Sequence, residues 1–319
     1  MRRTVIAAMI LSLGTVFAAA QNWPTKLVKI IVPFAAGATP DVVARLIADD
    51  LQTRLSQAFI IENRPGASGN TGTDAVAKAE PDGGTIGVSI GGPLAINTLL
   101  FPKLPYDPRK DLTLITLLVT QPSVLAVNAG LGVSDTRALI DVIKRNPGKY
   151  AFGSIGAGSL SHLAMEAIAL KSGTQLVHVP YASSPQAVTA LLRNDVQMVC
   201  LPAISIMPQL RAGAVKVLAV STAERSPLLP DIPTLKEAGI DVEADAWSGL
   251  IAPARLAKPM TARIGQFVAQ AVTSPVIRDK LAAQFMTPIA GTPAEFRARI
   301  DNDIARWSPI IAAAKIKIE

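Results

Sequence analysis

The chain has 319 residues, of which 50% are apolar and only 4% aromatic, with two histidines, one cysteine and a formal charge of +7. A single Cys200 excludes a disulfide framework, and two dispersed histidines beside it supply no clustered metal-ligand set. The basic excess is mild and scattered, without Lys and Arg runs interleaved with aromatics, which argues against a nucleic-acid surface.

Residues 1–20 read as a signal peptide. Arg2 and Arg3 give a positive start, residues 4–17 are apolar apart from small or hydroxyl side chains, and Ala18-Ala19-Ala20 offers a cut before Gln21. The run is shorter than the roughly 20 apolar residues of a membrane span, and no cysteine follows the cut to take a lipid. The paired arginines hint at twin-arginine export, but no longer motif supports it, so general secretion is the expectation. Arg2 and Arg3 are the only charged residues among 1–20, so the mature charge falls from +7 to +5, a balance that favours anionic solutes at long range. No later segment is long and apolar enough to insert in a bilayer.

From residue 27 strand and helix patterns alternate. Leu27-Val28-Lys29-Ile30-Ile31-Val32 reads as a buried strand. A turn at 33–38 leads to a helix that Thr39 can cap, with Pro40 at its first position, Asp41 at its positive end, and Val43, Leu46, Ile47 and Leu51 on its apolar face. Phe59-Ile60-Ile61-Glu62 is a strand, 63–70 a loop of turn formers, 74–80 a short helix and 85–90 a strand. Further on, 124–127 is extended, 135–145 helical, 150–154 a short strand, and 160–171 a helix stopped by Gly173. Strands at 176–179, 196–201 and 215–220 follow, with a helix opened by Ser184-Pro185. Thr292-Pro293-Ala294-Glu295 is a capping box that starts a helix through Phe296, Ile300, Ile304 and Trp307.

This alternation implies parallel sheets covered by helices, and the length suits two α/β lobes better than one. The expected division is 21–120 with 246–319 in lobe 1 and 121–245 in lobe 2, joined by short crossings near Thr120-Gln121 and Ala244-Asp245-Ala246. Ligands of such folds bind beyond the carboxyl ends of strands. Three strand-to-helix turns, 33–39, 153–159 and 180–184, are rich in Gly, Ala or Ser and lead into helix N-termini, where free N–H groups favour an anion. Enzyme chemistry fares worse. Ser159 and His162 stand three apart on a helix start, a spacing that also suits plain capping, and there is neither a dinucleotide fingerprint nor a phosphate loop. Cys200, in Val199-Cys200-Leu201, reads as a buried small hydrophobe with no basic partner.

Several motifs carry a family resemblance. They are Ile31-Val32-Pro33-Phe34 with Gly37 and Asp41, the stretch Glu62-Asn63-Arg64-Pro65-Gly66-Ala67-Ser68-Gly69-Asn70, and Ala79-Glu80-Pro81-Asp82-Gly83. Leu104-Pro105-Tyr106-Asp107-Pro108, Ser161-His162-Leu163, His178-Val179-Pro180-Tyr181 and Pro230-Asp231-Ile232-Pro233-Thr234 add to them. Over nearly the whole mature length the chain resembles the Bug-type, TctC-like solute receptors of tripartite tricarboxylate transporters. The resemblance implies a type II periplasmic binding-protein fold, two α/β lobes with a ligand cleft between them, working in the periplasm without cofactor, metal or catalytic residue. It implies a small mono-, di- or tricarboxylate, aliphatic or aromatic, held largely by backbone N–H groups and water, and delivery to a membrane permease. The residues to which this carries are Phe34, Ala35, Ala36, Gly37 and Asp41 in the first turn; Ser154, Gly156 and Ser159 with His162 in the second; Tyr181, Ala182 and Ser183 in the third; and Ser89 at another strand end. A monomer is expected. A membrane sensor as the downstream partner and a periplasmic enzyme acting on a small acid are the alternatives.

The sequence also departs from the family pattern. Ala36-Gly37-Ala38-Thr39-Pro40-Asp41 replaces a glycine-richer turn, which should narrow and stiffen it. Gln197, Cys200 and Leu201 occupy a strand where the family often has an Asp that could pair a ligand amine, so plain carboxylates are expected over α-amino acids.

Overall fold

The computed structural model describes residues 23–318, so the expected signal peptide lies outside the described residues. The chain runs β1 (Val28–Val32), α1 (Thr39–Leu55), β2 (Phe59–Asn63), α2 (Asn70–Ala77) and β3 (Thr85–Ile90), then a π-turn (Gly92–Ile96) into α3 (Asn97–Leu100). Next come β4 (Leu112–Gln121), β5 (Ser123–Asn128), α4 (Thr136–Lys144), β6 (Ala151–Ser154), α5 (Leu160–Ser172), β7 (Val177–Pro180) and α6 (Ser184–Arg193). The remainder is β8 (Met198–Pro202), α7 (Ala203–Arg211), β9 (Val215–Val220), β10 (Ala246–Pro253), α8 (Lys258–Thr273), α9 (Pro275–Ala282), β11 (Thr287–Gly291) and α10 (Pro293–Ala313).

Two sheets result, one in the order β11-β4-β10-β3-β1-β2 and one in the order β7-β6-β8-β5-β9. Both are mixed, where sequence pattern alone suggests parallel ones. The exceptions include strands that carry the chain between sheets: β10 runs antiparallel to β3 and β4, and β5 antiparallel to β8 and β9, while the edge strand β11 also runs antiparallel to β4. A chain that leaves one sheet and later returns to it must do so in opposite directions.

Side chains alternate across each sheet as strand geometry requires. In the first, Val28, Ile30 and Val32 join a core with Val43, Ile47 and Leu51 of α1 and Ile264 and Val268 of α8. Ile31 points the other way, to Val76 of α2 and Phe296 and Ile300 of α10. Each fully buried Ile, Leu or Val in these layers contributes about 1.5–3 kcal/mol of transfer free energy. In the second sheet Leu125 and Val127 face α4 and α5, while Val124 and Ala126 face α6 and α7. One helix is shared. Phe296 and Ile300 of α10 lie on the first sheet, but Trp307, Ile310 and Ile311 lie in the second sheet's core.

Register locates the gap between the lobes. Gln121 pairs with Ala246, and Ser248 with Ile90, so the carboxyl end of β3, and of β1 parallel to it, lies where the chain crosses at Pro122. Ser123 pairs with Pro202, and β6 runs parallel to β8, so the carboxyl ends of β6 and β7 face the same crossing from the other side.

Candidate functional site

The first turn is built around one buried carboxylate. Asp41 is 1% exposed and accepts from the Gly37 N–H (2.8 Å), Asn63 Nδ2 (2.8 Å), and Arg45 Nε and Nη2 (2.9 and 3.0 Å). Burial opposes its ionisation, but the bonds from Arg45, Gly37 and Asn63 outweigh it and hold the carboxyl below its ordinary value. Asp41 is therefore spent on shaping the turn. Thr39 does not cap α1. Ala38 is the N-cap, without a side-chain bond, and Thr39 Oγ1 instead meets Gln121 Oε1 at 3.3 Å, tying the turn to the crossing. Asp41 reaches back past the N-cap to Gly37, so it ties down the preceding turn and leaves α1 without a side-chain cap. Among the described residues the Ala35 and Ala36 N–H groups have no protein acceptor, and both residues are exposed. Gly37 takes φ +83°, which an L side chain rarely adopts. The half-buried Phe34 ring lies over Gly69 beside Pro93.

The second turn is a network of short polar side chains. Ser154 is fully buried; its Oγ meets His178 Nε2 at 2.6 Å and accepts the Gly156 N–H at 3.2 Å. Ser161 Oγ accepts the Ile155 N–H (3.0 Å) and contacts Ser159 Oγ (2.9 Å), which caps α5 by accepting the His162 N–H (3.3 Å). His162 Nδ1 accepts the Gly158 N–H at 3.0 Å. The His162 and His178 rings stack at 3.7 Å and 10°, with Phe152 beside the pair, 5.0 Å from His178 and 6.0 Å from His162. Burial, and then the charge a proton on His162 would bring, push the His178 imidazole down to about 4. Among the described residues the Ala157, Leu160 and Ser161 N–H groups have no protein acceptor.

In the third turn Tyr181 donates its N–H to the Ser154 carbonyl (2.9 Å) and lays its ring over Gly153. The Ala182 N–H goes to Gln186 Oε1 (3.0 Å), and Ser183 is the extended N-cap of α6 without a side-chain bond. Ser89 is fully buried, its Oγ 3.2 Å from Thr73 Oγ1, so its side chain is held inside the first lobe. Cys200 is buried, its thiol pushed up to about 12, and inert.

Fold and register thus bring the first, second and third turns to one gap. Sequence reading missed Asn63, Gln121, Ser161 and His178, whose roles depend on strand pairing and not on local pattern. A groove of about 700 Å³ lies elsewhere, between β4, α8 and β11, lined by Ile115, Gly265, Ala269 and Gly291. Its one charged lining side chain is Lys258, so the inter-lobe gap is the better candidate for an anion site.

Two mixed sheets, each layered with helices and joined by crossings beside paired strand ends, define a periplasmic-binding-protein fold. The aliphatic sulphonate binding protein SsuA of Escherichia coli shares the fold at 12% identity, with a TM-score of 0.51 over 91% of this chain and 78% of that one. Residues 43–316 match the tripartite tricarboxylate transporter family receptor model, TctC, and the chain belongs to that family of solute receptors, which are not enzymes. It is 32% identical to the protein BugT of Bordetella pertussis over 302 residues, 94% of this chain and 93% of that one. Rpa4515 of R. palustris with adipate superposes with a TM-score of 0.83 at 32% identity, covering 92% and 99% of the two chains. MatC of Rhodopseudomonas palustris with bound malate gives 0.77 at 30%, covering 91% and 100%.

Proposed function

We propose that this receptor is exported to the periplasm, captures a small carboxylate by closing its lobes, 21–120 with 246–319 against 121–245, and delivers it as a monomer to a tripartite tricarboxylate-type permease. The observation that carries the reading is the pair of helix N-termini, α1 and α5, whose turns present unpaired N–H groups at Ala35, Ala36 and Ala157 from opposite sides of one gap. Such groups favour an anion. The adipate and malate bound by relatives support a carboxylate. Phe34, half-buried at the first turn, packs against the ligand body, and Gly37, Gly156 and the third turn at Tyr181, Ala182 and Ser183 allow close approach. Cys200 and Leu201 are both buried and apolar, so that strand offers no carboxylate for a ligand amine.

The test is thermal unfolding of residues 21–319, unfolded and refolded to strip carried ligand, against carboxylates, amino acids and sugars. A ligand specific for the native state raises the midpoint by mass action. A dose-dependent rise with adipate, malate or an aromatic acid is expected. Tighter binding of aspartate or glutamate than of succinate would overturn the absence of an amine partner, and a response to sugars alone would overturn the carboxylate site.

A further inference from the structure

The second turn poses a problem that the family match does not answer: what holds it in one shape. It contains three glycines within 153–158, and Gly156 and Gly158 sit at φ +113° and +72°. A glycine-rich segment of this kind is mobile unless its N–H groups are tied down. Three of them are tied, and by side chains: Ile155 by Ser161, Gly156 by Ser154 and Gly158 by His162. Two of those side chains, Ser154 through its bond to His178 and His162 itself, meet at the stacked His162 and His178 rings.

We propose that His162 is a positioning residue for ligand capture: its Nδ1 lone pair, braced by the stacked His178 and its bond to Ser154, fixes Gly158 and so aims the Ala157 and Leu160 N–H groups into the cleft. This inference rests on the reading of the cleft as an anion site. The chemistry of the acceptor is decisive. A ring nitrogen that accepts an N–H carries no proton, so His162 is the neutral Nε2–H tautomer, with Nε2 turned toward Glu166 Oε1 at 3.5 Å. Protonating Nδ1 would set two donors against each other at 3.0 Å and release Gly158. The other ionisable groups facing the pair are Glu166 on the same helix and His178 on β7. Two positive rings in face-to-face contact at 3.7 Å would repel. Burial holds the His178 imidazole down at about 4. Gly158 is also gripped from behind. A side chain there would meet Leu100 Cδ1 at 2.5 Å and Ile318 Cδ1 at 2.8 Å, so the turn has no room to reshape without its glycine moving.

Binding needs the Nδ1 lone pair free to accept the Gly158 N–H. The test compares wild type with His162→Asn, whose Oδ1 accepts from the Nδ1 position but does not protonate, and His162→Leu, which has no acceptor. With adipate as the titrated ligand at pH 7, His162→Leu should bind at least tenfold more weakly than wild type. His162→Asn should recover most of that loss. Equal affinity of His162→Leu and wild type, or no recovery in His162→Asn, would overturn the proposal. A readout that needs no ligand accompanies it. The ¹⁵N resonances of the His162 ring at pH 7 should report an unprotonated Nδ1, and the Gly158 amide should lose its hydrogen-bonded shift in His162→Leu and keep it in His162→Asn. A protonated Nδ1 at pH 7, or a Gly158 amide unchanged in His162→Leu, would also overturn it. If wild type ignores adipate, the dicarboxylate reading of the cleft fails while the ring and amide resonances still decide the role of His162.

Discussion

Asp41 shows how one buried side chain sets the geometry of a whole turn. Its four hydrogen bonds join the turn backbone, the end of β2 and the first turn of α1. Arg45 is half exposed, so water weakens that ion pair, and the buried bonds to Gly37 and Asn63 matter more. Asp41→Ala should cost about 2 kcal/mol in urea unfolding, the scale of losing charge-assisted bonds from a buried site. Because the folded carboxyl lies below its ordinary value, its stabilising contribution is complete above the ordinary carboxylate range and lost as pH falls through the lower folded value. Wild type should therefore lose stability in that acid window, and Asp41→Ala should lose less there. This role was only half legible in the sequence. An acid two residues after Thr39 in a first helical turn signals a favourable dipole contact, but a serine, threonine or aspartate can each cap, and only the folded turn decides among them. Ser89 shows the same limit: a polar residue at a strand end was expected to face the gap, and the alternation of β3 turns it to Thr73 instead.

At the scale of elements, local signals succeeded where local physics dominates. The Thr292–Glu295 capping box and the Gly173 stop both form as read. The long strands β4 and β10 escaped notice because both are almost entirely buried, so they lack the polar-apolar alternation that marks a strand. The start of α2 was set too late, since Asn70 looks like loop composition. In the structure its Oδ1 accepts from Asn97 (2.7 Å) and Tyr106 (3.0 Å), which anchors the helix at that residue. A second anchor lies on α10. Arg299 forks onto Asp245 at 2.7 and 3.2 Å and reaches Asp303 at 3.3 Å, while Trp247 Nε1 donates to Asp303 at 2.7 Å. Burial raises the Asp303 carboxyl despite its cationic neighbours. Arg299→Ala would leave Asp245 and Asp303 buried without their main partner, and a loss of about 3–5 kcal/mol is expected in denaturant unfolding. A loss under 1 kcal/mol would mean that Arg306 and water take over the role.

For the whole molecule the pattern of strands and helices was enough to expect two α/β lobes, because alternation is written into composition. The mixed direction of the sheets was not, since it depends on which strand neighbours which across more than a hundred residues. Capture by closure predicts a smaller radius of gyration with a bound carboxylate than without, measurable by small-angle scattering; an unchanged value at saturation would show that the lobes start closed. A ligand can drive that change only by its differential affinity for the closed form. Here the placement of α10 matters. A rod embedded at one end in each body, with Pro309 interrupting its hydrogen-bond ladder near the second, makes a flexure bearing: it bends at one point and resists sliding. Under the proposed capture by closure, such a bearing would keep the open ensemble narrow, leave little conformational freedom to be surrendered when a solute arrives, and let weak contacts through backbone amides hold it.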